Sequence, residues 1–349
     1  MDTSLKTDNT PVPLNTNRDT VIAVWLFTVA AMVFMMVVLG GVTRLTDSGL
    51  SMVEWRPVSG WLPPFGDAEW REVFAKYRSY PEYQKINAGM TLEEFEGIFW
   101  LEFLHRLWGR VIGVVFIVPL VYFVVRGWLS RQLRWRLVGA AVLGGLQGGL
   151  GWFMVKSGLV DRPDVSQYRL AAHLGLALII YGYLLWIAFG LVWKTPANAP
   201  LRVRKFAVAV LALVFITAMS GALVAGLDAG LTYNTFPLMD GDFVPEGYFQ
   251  LQPFYLNFFE NIAAVQFDHR LLAEITFIAV ITFWWTSRKS GLPSAVKRVI
   301  NGLAAVAVLQ VGLGISTLLL VVPIGLAALH QAVAVILIGF AVWNVRVTQ

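Results

Sequence analysis

The chain has 349 residues, no cysteine, and a hydrophobic fraction of 57% before its 31 glycines are counted. Charged residues make up 14%, about half the ~25% of soluble domains, and the net charge is only +5. So little charge cannot cover a soluble surface of this size. The lack of cysteine excludes a disulfide scaffold, a thiolate metal site and thiol chemistry. What remains is a polytopic membrane protein lying in a lipid bilayer.

Taken in chain order, a polar stretch at 1–20 reads as a cytoplasmic tail without the basic start of a signal peptide. The uncharged runs 20–43, 137–155, 170–193 and 206–227 are each long enough to cross a hydrocarbon core of ~30 Å as a helix. Residues 299–345 form one further uncharged run, broken at Val322-Pro323-Ile324-Gly325 into two spans. Two shorter runs, 111–125 and 275–287, reach spanning length only by taking in charged residues on their N-terminal sides. In the first these are Glu102, His105, Arg106 and Arg110; in the second, Asp268, His269, Arg270 and Glu274. The count is eight helices.

Eight spans put both termini on one side. Basic residues such as Lys6, Arg126, Arg131, Arg136, Lys194, Arg202, Lys205, Arg288, Lys297 and Arg346 crowd the segments on that side, which makes it cytoplasmic by the positive-inside rule. The positive charge is therefore a topology signal, and nucleic acid is not an expected partner. Two segments on the outer side are long, 44–98 and 228–262. They are rich in Trp, Tyr and Pro, with amphipathic pieces such as Glu69–Tyr77, and are expected to cap the outer face.

The second half repeats the first. Gly40-Gly41-Val42-Thr43-Arg44-Leu45-Thr46-Asp47-Ser48-Gly49-Leu50 matches Gly221-Ala222-Leu223-Val224-Ala225-Gly226-Leu227-Asp228-Ala229-Gly230-Leu231, and His105-Arg106-Leu107 matches His269-Arg270-Leu271. Leu146-Gln147-Gly148-Gly149-Leu150-Gly151 matches Leu309-Gln310-Val311-Gly312-Leu313-Gly314, and His173 matches His330. The expected architecture is all-α: two pseudo-symmetric four-helix bundles, 21–200 and 201–349, related by an axis along the membrane normal. The glycine runs at 144–149 and 312–314 are expected to let helices approach closely. Asp47 and Asp228, in Gly-rich ends, read as turn or cap residues.

All four histidines of the chain fall in these spans, one in the second and one in the fourth helix of each half, one to two turns from the outer end. A structural hydrogen bond between helices is the bland reading, but duplication at matching depth argues against it. Zinc sites gather three or four ligands, whereas each half offers two imidazoles on different helices. That pattern suits a metal in a planar macrocycle with one ligand per face, for which a four-helix bundle is a common host. Gly109, Ala177, Ala273 and Ala334, four residues after each histidine, leave room on the same helix face. Arg106, Arg110 and Arg270 are candidate partners for the macrocycle's anionic groups, with snorkelling to headgroups as the alternative.

The halves differ at one telling position. Glu102 precedes His105 by three residues, and its counterpart is Gln266. A carboxylate beside one macrocycle only points to chemistry there, with Glu102 exchanging protons, and to electron storage at the other site. An ion pair of Glu102 with Arg106 is the competing reading. Asp268 and Glu274 read as groups that orient or neutralise their neighbours.

These residues resemble the haem A synthases, in the cysteine-less mitochondrial and alphaproteobacterial branch. The resemblance rests on the 40–51 segment followed by Glu54-Trp55-Arg56-Pro57, on Glu94-Phe95-Glu96-Gly97-Ile98-Phe99-Trp100-Leu101-Glu102-Phe103-Leu104-His105-Arg106, on Asn234-Thr235-Phe236-Pro237-Leu238-Met239 and on Phe267-Asp268-His269-Arg270. It implies oxidation of the C8 methyl of haem O to the formyl of haem A by two successive hydroxylations, in a bacterial inner membrane with the sites toward the periplasm. It also implies a resident haem b on His269 and His330, and a substrate haem on His105 and His173 with Glu102 at its reacting edge. Haem O synthase would supply the substrate, and an electron acceptor that the resemblance does not specify would complete the reaction. A dihaem b-type cytochrome exchanging electrons with quinone, and a haem exporter or chaperone, are the other readings of the same residues.

Overall fold

The computed structural model describes residues 16–55, 59–159, 165–193 and 197–349. Most of the N-terminal tail, the Arg56-Pro57 pair, Lys6 and Lys194 lie outside the described residues. Eleven α-helices are present there: α1 (Thr16–Leu45), α2 (Gly66–Tyr77), α3 (Pro81–Lys85), α4 (Leu92–Val125), α5 (Arg131–Gly158), α6 (Gln167–Val192), α7 (Leu201–Gly226), α8 (Asn257–Glu260), α9 (Ile262–Arg288), α10 (Ser294–Leu319) and α11 (Ile324–Thr348). The three short ones, α2, α3 and α8, lie in the two long loops. The other eight are long and apolar enough to cross a membrane. Pairing is limited to one isolated bridge, Met239 with Asp242, among the described residues.

The charged starts expected for two of the spans are resolved by helix extension. α4 begins at Leu92, well before the apolar run, because Thr91 and Glu94 close a capping box. Thr91 N–H donates to Glu94 Oε2 at 2.8 Å, and Glu94 N–H to Thr91 Oγ1 at 3.3 Å. Phe95, Phe99 and Phe103, four apart along α4, then stack with Tyr77 of α2 into a small buried core under the first long loop. His105 consequently lies between three and four turns into α4, not one to two. His173, His269 and His330 each lie about two turns from a helix start. α9 is started by Asn261, whose side chain accepts from Ala263 and Ala264 N–H.

Within the first half α1 packs on α4 and α6, and α5 on α4 and α6; in the second half α7 packs on α9 and α11, and α10 on α9 and α11. The ring of neighbours is the same in both. The halves meet where α1 and α6 contact α11 and where α6 contacts α7. Polar ties cross between the halves, two of them from α1. Gln331 Nε2 donates to the Val37 carbonyl at 2.8 Å, and Arg44 ion-pairs with both Asp47 and Asp228 at 3.0 Å. Both aspartates adopt left-handed backbone (φ 47° and 50°) at the ends of α1 and α7, the turn role read from the sequence.

Of the two glycine runs, 144–149 makes no close approach, whereas Gly314 of the 312–314 run does. A Cβ added at Gly144, Gly145, Gly148, Gly149 or Gly312 would meet nothing within 4 Å. Gly314 and, two residues past the first run, Gly151 are tight, and what they touch is histidine.

Candidate functional site

Each of the four imidazoles rests on a glycine of the preceding helix in its own half. A Cβ added at Gly40 (α1) would stand 2.9 Å from Cε1 of His105, and at Gly151 (α5) 3.2 Å from Cε1 of His173. In the second half the distances are 3.1 Å from Gly221 (α7) to His269 and 2.9 Å from Gly314 (α10) to His330. A Cβ essentially never stands as close as 2.9 Å, so Gly40 and Gly314 are required for these ring positions, whereas at Gly151 and Gly221 an added Cβ would make the ring give by a few tenths of an ångström. Within each half the two rings are near enough to interact electrostatically.

A glutamine flanks the second ring of each pair. Gln147 Nε2 lies 3.3 Å from both ring nitrogens of His173, and Gln310 Nε2 lies 3.2 and 3.4 Å from those of His330. Gln147 and Gly151, like Gln310 and Gly314, are four residues apart and so share a helix face. The amide and the glycine thus form one seat for the imidazole of the neighbouring helix.

At the histidine-bearing end, the two arginines next to His105 and His269 hold the long loops by the backbone. Arg106 donates from Nη1 to the Glu54 carbonyl at 3.0 Å and from Nη2 to the Met52 carbonyl at 2.7 Å. Arg270 donates from Nη1 to the Thr235 carbonyl at 2.9 Å and from Nη2 to the Tyr233 carbonyl at 2.7 Å. These are equivalent loop positions in the repeat. Arg270 Nε is buried with no hydrogen-bond partner among the described residues. Arg110, one turn along α4 from Arg106, is half-buried.

Glu102 is buried and ion-pairs with Arg106, as the competing reading required. Its Oε2 also accepts from Ser51 Oγ and from Met52 N–H, both at 2.7 Å. In the second half Gln266 takes this place and donates to the Tyr233 carbonyl at 3.0 Å. Asp268 accepts a hydrogen bond from Tyr248 of the second loop. Beside the first site, a cleft of about 330 Å³ opens between the first loop and α5. Met52, Trp55, Tyr80, Arg106, Trp152 and Lys156 line it.

Comparison with known proteins gives the family. Residues 23–342 match the COX15–CtaA family, described as cytochrome oxidase assembly proteins. The chain is 53% identical over 326 residues to the heme A synthase of Nitrosospira multiformis, covering 92% of each chain. It is 52% identical to that of Rhodospirillum centenum, covering 94% of this chain and 88% of the relative. It is 47% identical to heme A synthase COX15 of Bos taurus, covering 93% and 81%. The chain belongs to the COX15–CtaA family.

In this COX15–CtaA member the structure brings together His105 with His173, His269 with His330, and Glu102 with Arg106. The residues present fit an iron porphyrin, which His105 with His173, and His269 with His330, would hold. Each half presents two rings with glycine beneath them, and His105 Nδ1 is a buried polar atom with no partner among the described residues. Sequence reasoning missed Gln147 and Gln310 as site residues, although the repeated Leu-Gln-x-Gly-Leu-Gly pattern carried them. It also missed Lys156 and Trp152, which have no counterparts of the same type in the second half and left no repeat signal.

Proposed function

We propose that this chain is a haem A synthase, oxidising the C8 methyl of haem O to the formyl of haem A by two successive hydroxylations. Relatives of that name, matched over nearly the whole chain, support the reading. The observation that carries it is the fourfold seating of histidine on glycine, combined with a carboxylate at only one of the two sites.

In this proposal His105 and His173 hold the substrate haem in the first half, and His269 and His330 hold a resident haem b in the second. The resident haem, when bound, supplies a one-electron redox centre. Glu102 exchanges protons at the substrate's edge, with Arg106, Ser51 and the Met52 N–H holding its carboxylate in one place. Arg106 also pins the first loop over the site, where it acts as a lid against water. Arg110 and Arg270 add positive charge toward the propionates. The two four-helix halves are related by an axis along the membrane normal. The protein lies in the bacterial inner membrane with both termini cytoplasmic and the haems toward the periplasm, and haem O synthase supplies the substrate.

The test is haem extraction after co-expression with a source of haem O. Haem A is expected from the native chain and not from His105→Ala or Glu102→Ala. His269→Ala should abolish the low-spin b-type spectrum of the purified protein. Recovery of haem b alone, near two per chain and indifferent to Glu102→Ala, would instead identify a dihaem electron carrier exchanging electrons with quinone.

A further inference from the structure

The first histidine of each pair, His105 and His269, rests on an equivalent glycine, but the two differ in what faces Nδ1. Ser220 Oγ lies 2.8 Å from His269 Nδ1 and also donates to the Thr217 carbonyl at 2.8 Å. A serine hydroxyl has a single proton. With that proton on the Thr217 carbonyl, Ser220 Oγ can only accept, so the hydrogen of the His269 ring sits on Nδ1. Nε2 is left with its lone pair. Below this contact Thr217 Oγ1 bonds Thr276 Oγ1 at 2.7 Å, which ties α7 to α9 about two turns along α9 from the histidine.

None of this exists in the first half. The repeat places Leu39 where Ser220 stands, Met36 where Thr217 stands and Ile112 where Thr276 stands. His105 Nδ1 is buried with no partner among the described residues. Glycine seats the ring, but no acceptor orients it or raises its basicity.

We infer that Ser220 is a positioning residue that locks His269 as an Nε2 ligand, so that the second half retains its haem while the first half, with Leu39 in that place, lets its haem exchange. An outer hydrogen bond to a ligating imidazole fixes its tautomer and strengthens it as a ligand, and losing one typically weakens metal binding by roughly 10- to 100-fold. The inference rests on the reading of the four histidines as haem ligands, and the test separates the two.

The purified holoprotein is compared with Ser220→Ala, Ser220→Thr and Leu39→Ser for transfer of haem to excess apomyoglobin and for the midpoint potential of the bound haem. Ser220→Ala is expected to lose haem b roughly tenfold faster and to shift the potential upward, because a less basic imidazole stabilises the ferric state less. Ser220→Thr, which restores the hydroxyl, should return both readings to the native values. Leu39→Ser should raise the haem retained per chain after reconstitution. A Ser220→Ala protein with native haem loss and potential overturns the inference, provided that His269→Ala abolishes the low-spin spectrum. If His269→Ala leaves that spectrum intact, the ligand assignment itself has failed. Should Ser220→Ala not fold, Leu39→Ser decides alone: no gain in retention counts against the proposal.

Discussion

Gly40 is the floor on which the His105 imidazole lies, with Cε1 only 2.9 Å from where a Cβ would stand. The contact is to a ring carbon, so an added methyl group cannot be absorbed by rotating a flexible tip and must displace the ring. Gly40→Ala is therefore expected to reduce haem A formation by roughly 100-fold, the usual consequence of moving a reacting partner by about 1 Å, while leaving the b-type spectrum unchanged. Gly221→Ala should do the reverse and shift that spectrum, because at 3.1 Å the His269 ring has to give by a few tenths of an ångström. Gly144→Ala, where an added Cβ meets nothing within 4 Å, serves as the control. Haem extraction and optical spectra of the three variants check the set. Loss of both signals in Gly40→Ala would mean that the two seats do not act separately.

Arg106 and Arg270 make the same two-carbonyl grip on equivalent loop positions, and a guanidinium fork reaches both where an ammonium cannot. Arg270→Lys keeps the charge and loses the fork. With hydrogen bonds to charged groups contributing about 1.5–3 kcal/mol each, the second loop should open locally. Limited proteolysis between α7 and α9 is the measurement: cleavage should accelerate in Arg270→Lys while the first loop keeps its native resistance. Arg106→Lys should expose the first loop in the same selective way.

Helix number was legible because a bilayer demands long apolar runs: each of the eight spans contains an uncharged run, although those in α4 and α9 reach spanning length only with charged residues. The start of α4 was not legible from hydropathy. Its first turns are held by a capping box and by Phe95, Phe99 and Phe103 on an aromatic cluster from a distant loop. Those contacts depend on tertiary packing that no local window contains. The histidines and the Glu102/Gln266 difference were readable because duplication made them conspicuous. Which acceptor each arginine finds was not, since Arg106 and Arg270 end on backbone carbonyls that carry no residue signature. The glycines at 40, 151, 221 and 314 were visible within the repeats, but only the fold shows that they seat imidazoles and that Gly144–Gly149 do not bring helices together.

Glu82, on α3 in the first long loop, is buried, and its Oε2 has no hydrogen-bond partner among the described residues. Burial, then the negative charges of Glu102 and Asp47, push its carboxyl up to about 8, with the Tyr77 hydroxyl opposing. The folded chain thus holds this proton more tightly than the unfolded chain. Its contribution is fully favourable below the ordinary carboxylate range and is lost as pH rises toward about 8. Glu82→Gln stays neutral throughout. Its thermal midpoint should equal the native value near pH ~4 and exceed it by several degrees near pH ~9. Melting curves in detergent across that range test this, and a difference that does not widen with pH would show that Glu82 ionises without cost.

Val321, in the turn between α10 and α11, has φ 61°, and Val322 after it has φ 54°. A β-branched residue in left-handed backbone carries strain of about 1–2 kcal/mol. Val321 is 54% exposed, so little packing is at stake there, whereas Val322 lies against Gly230. Asparagine tolerates this conformation and adds less freedom to the unfolded chain than glycine would. Val321→Asn should therefore stabilise the protein by about 1 kcal/mol, and Val322→Asn should gain less because it also removes the contact over Gly230. Neither position touches a histidine seat, so the spectra of both variants should match the native protein while their melting temperatures part. A Val321→Asn protein that melts at or below the native temperature would mean that the turn is held by its valines and not strained by them.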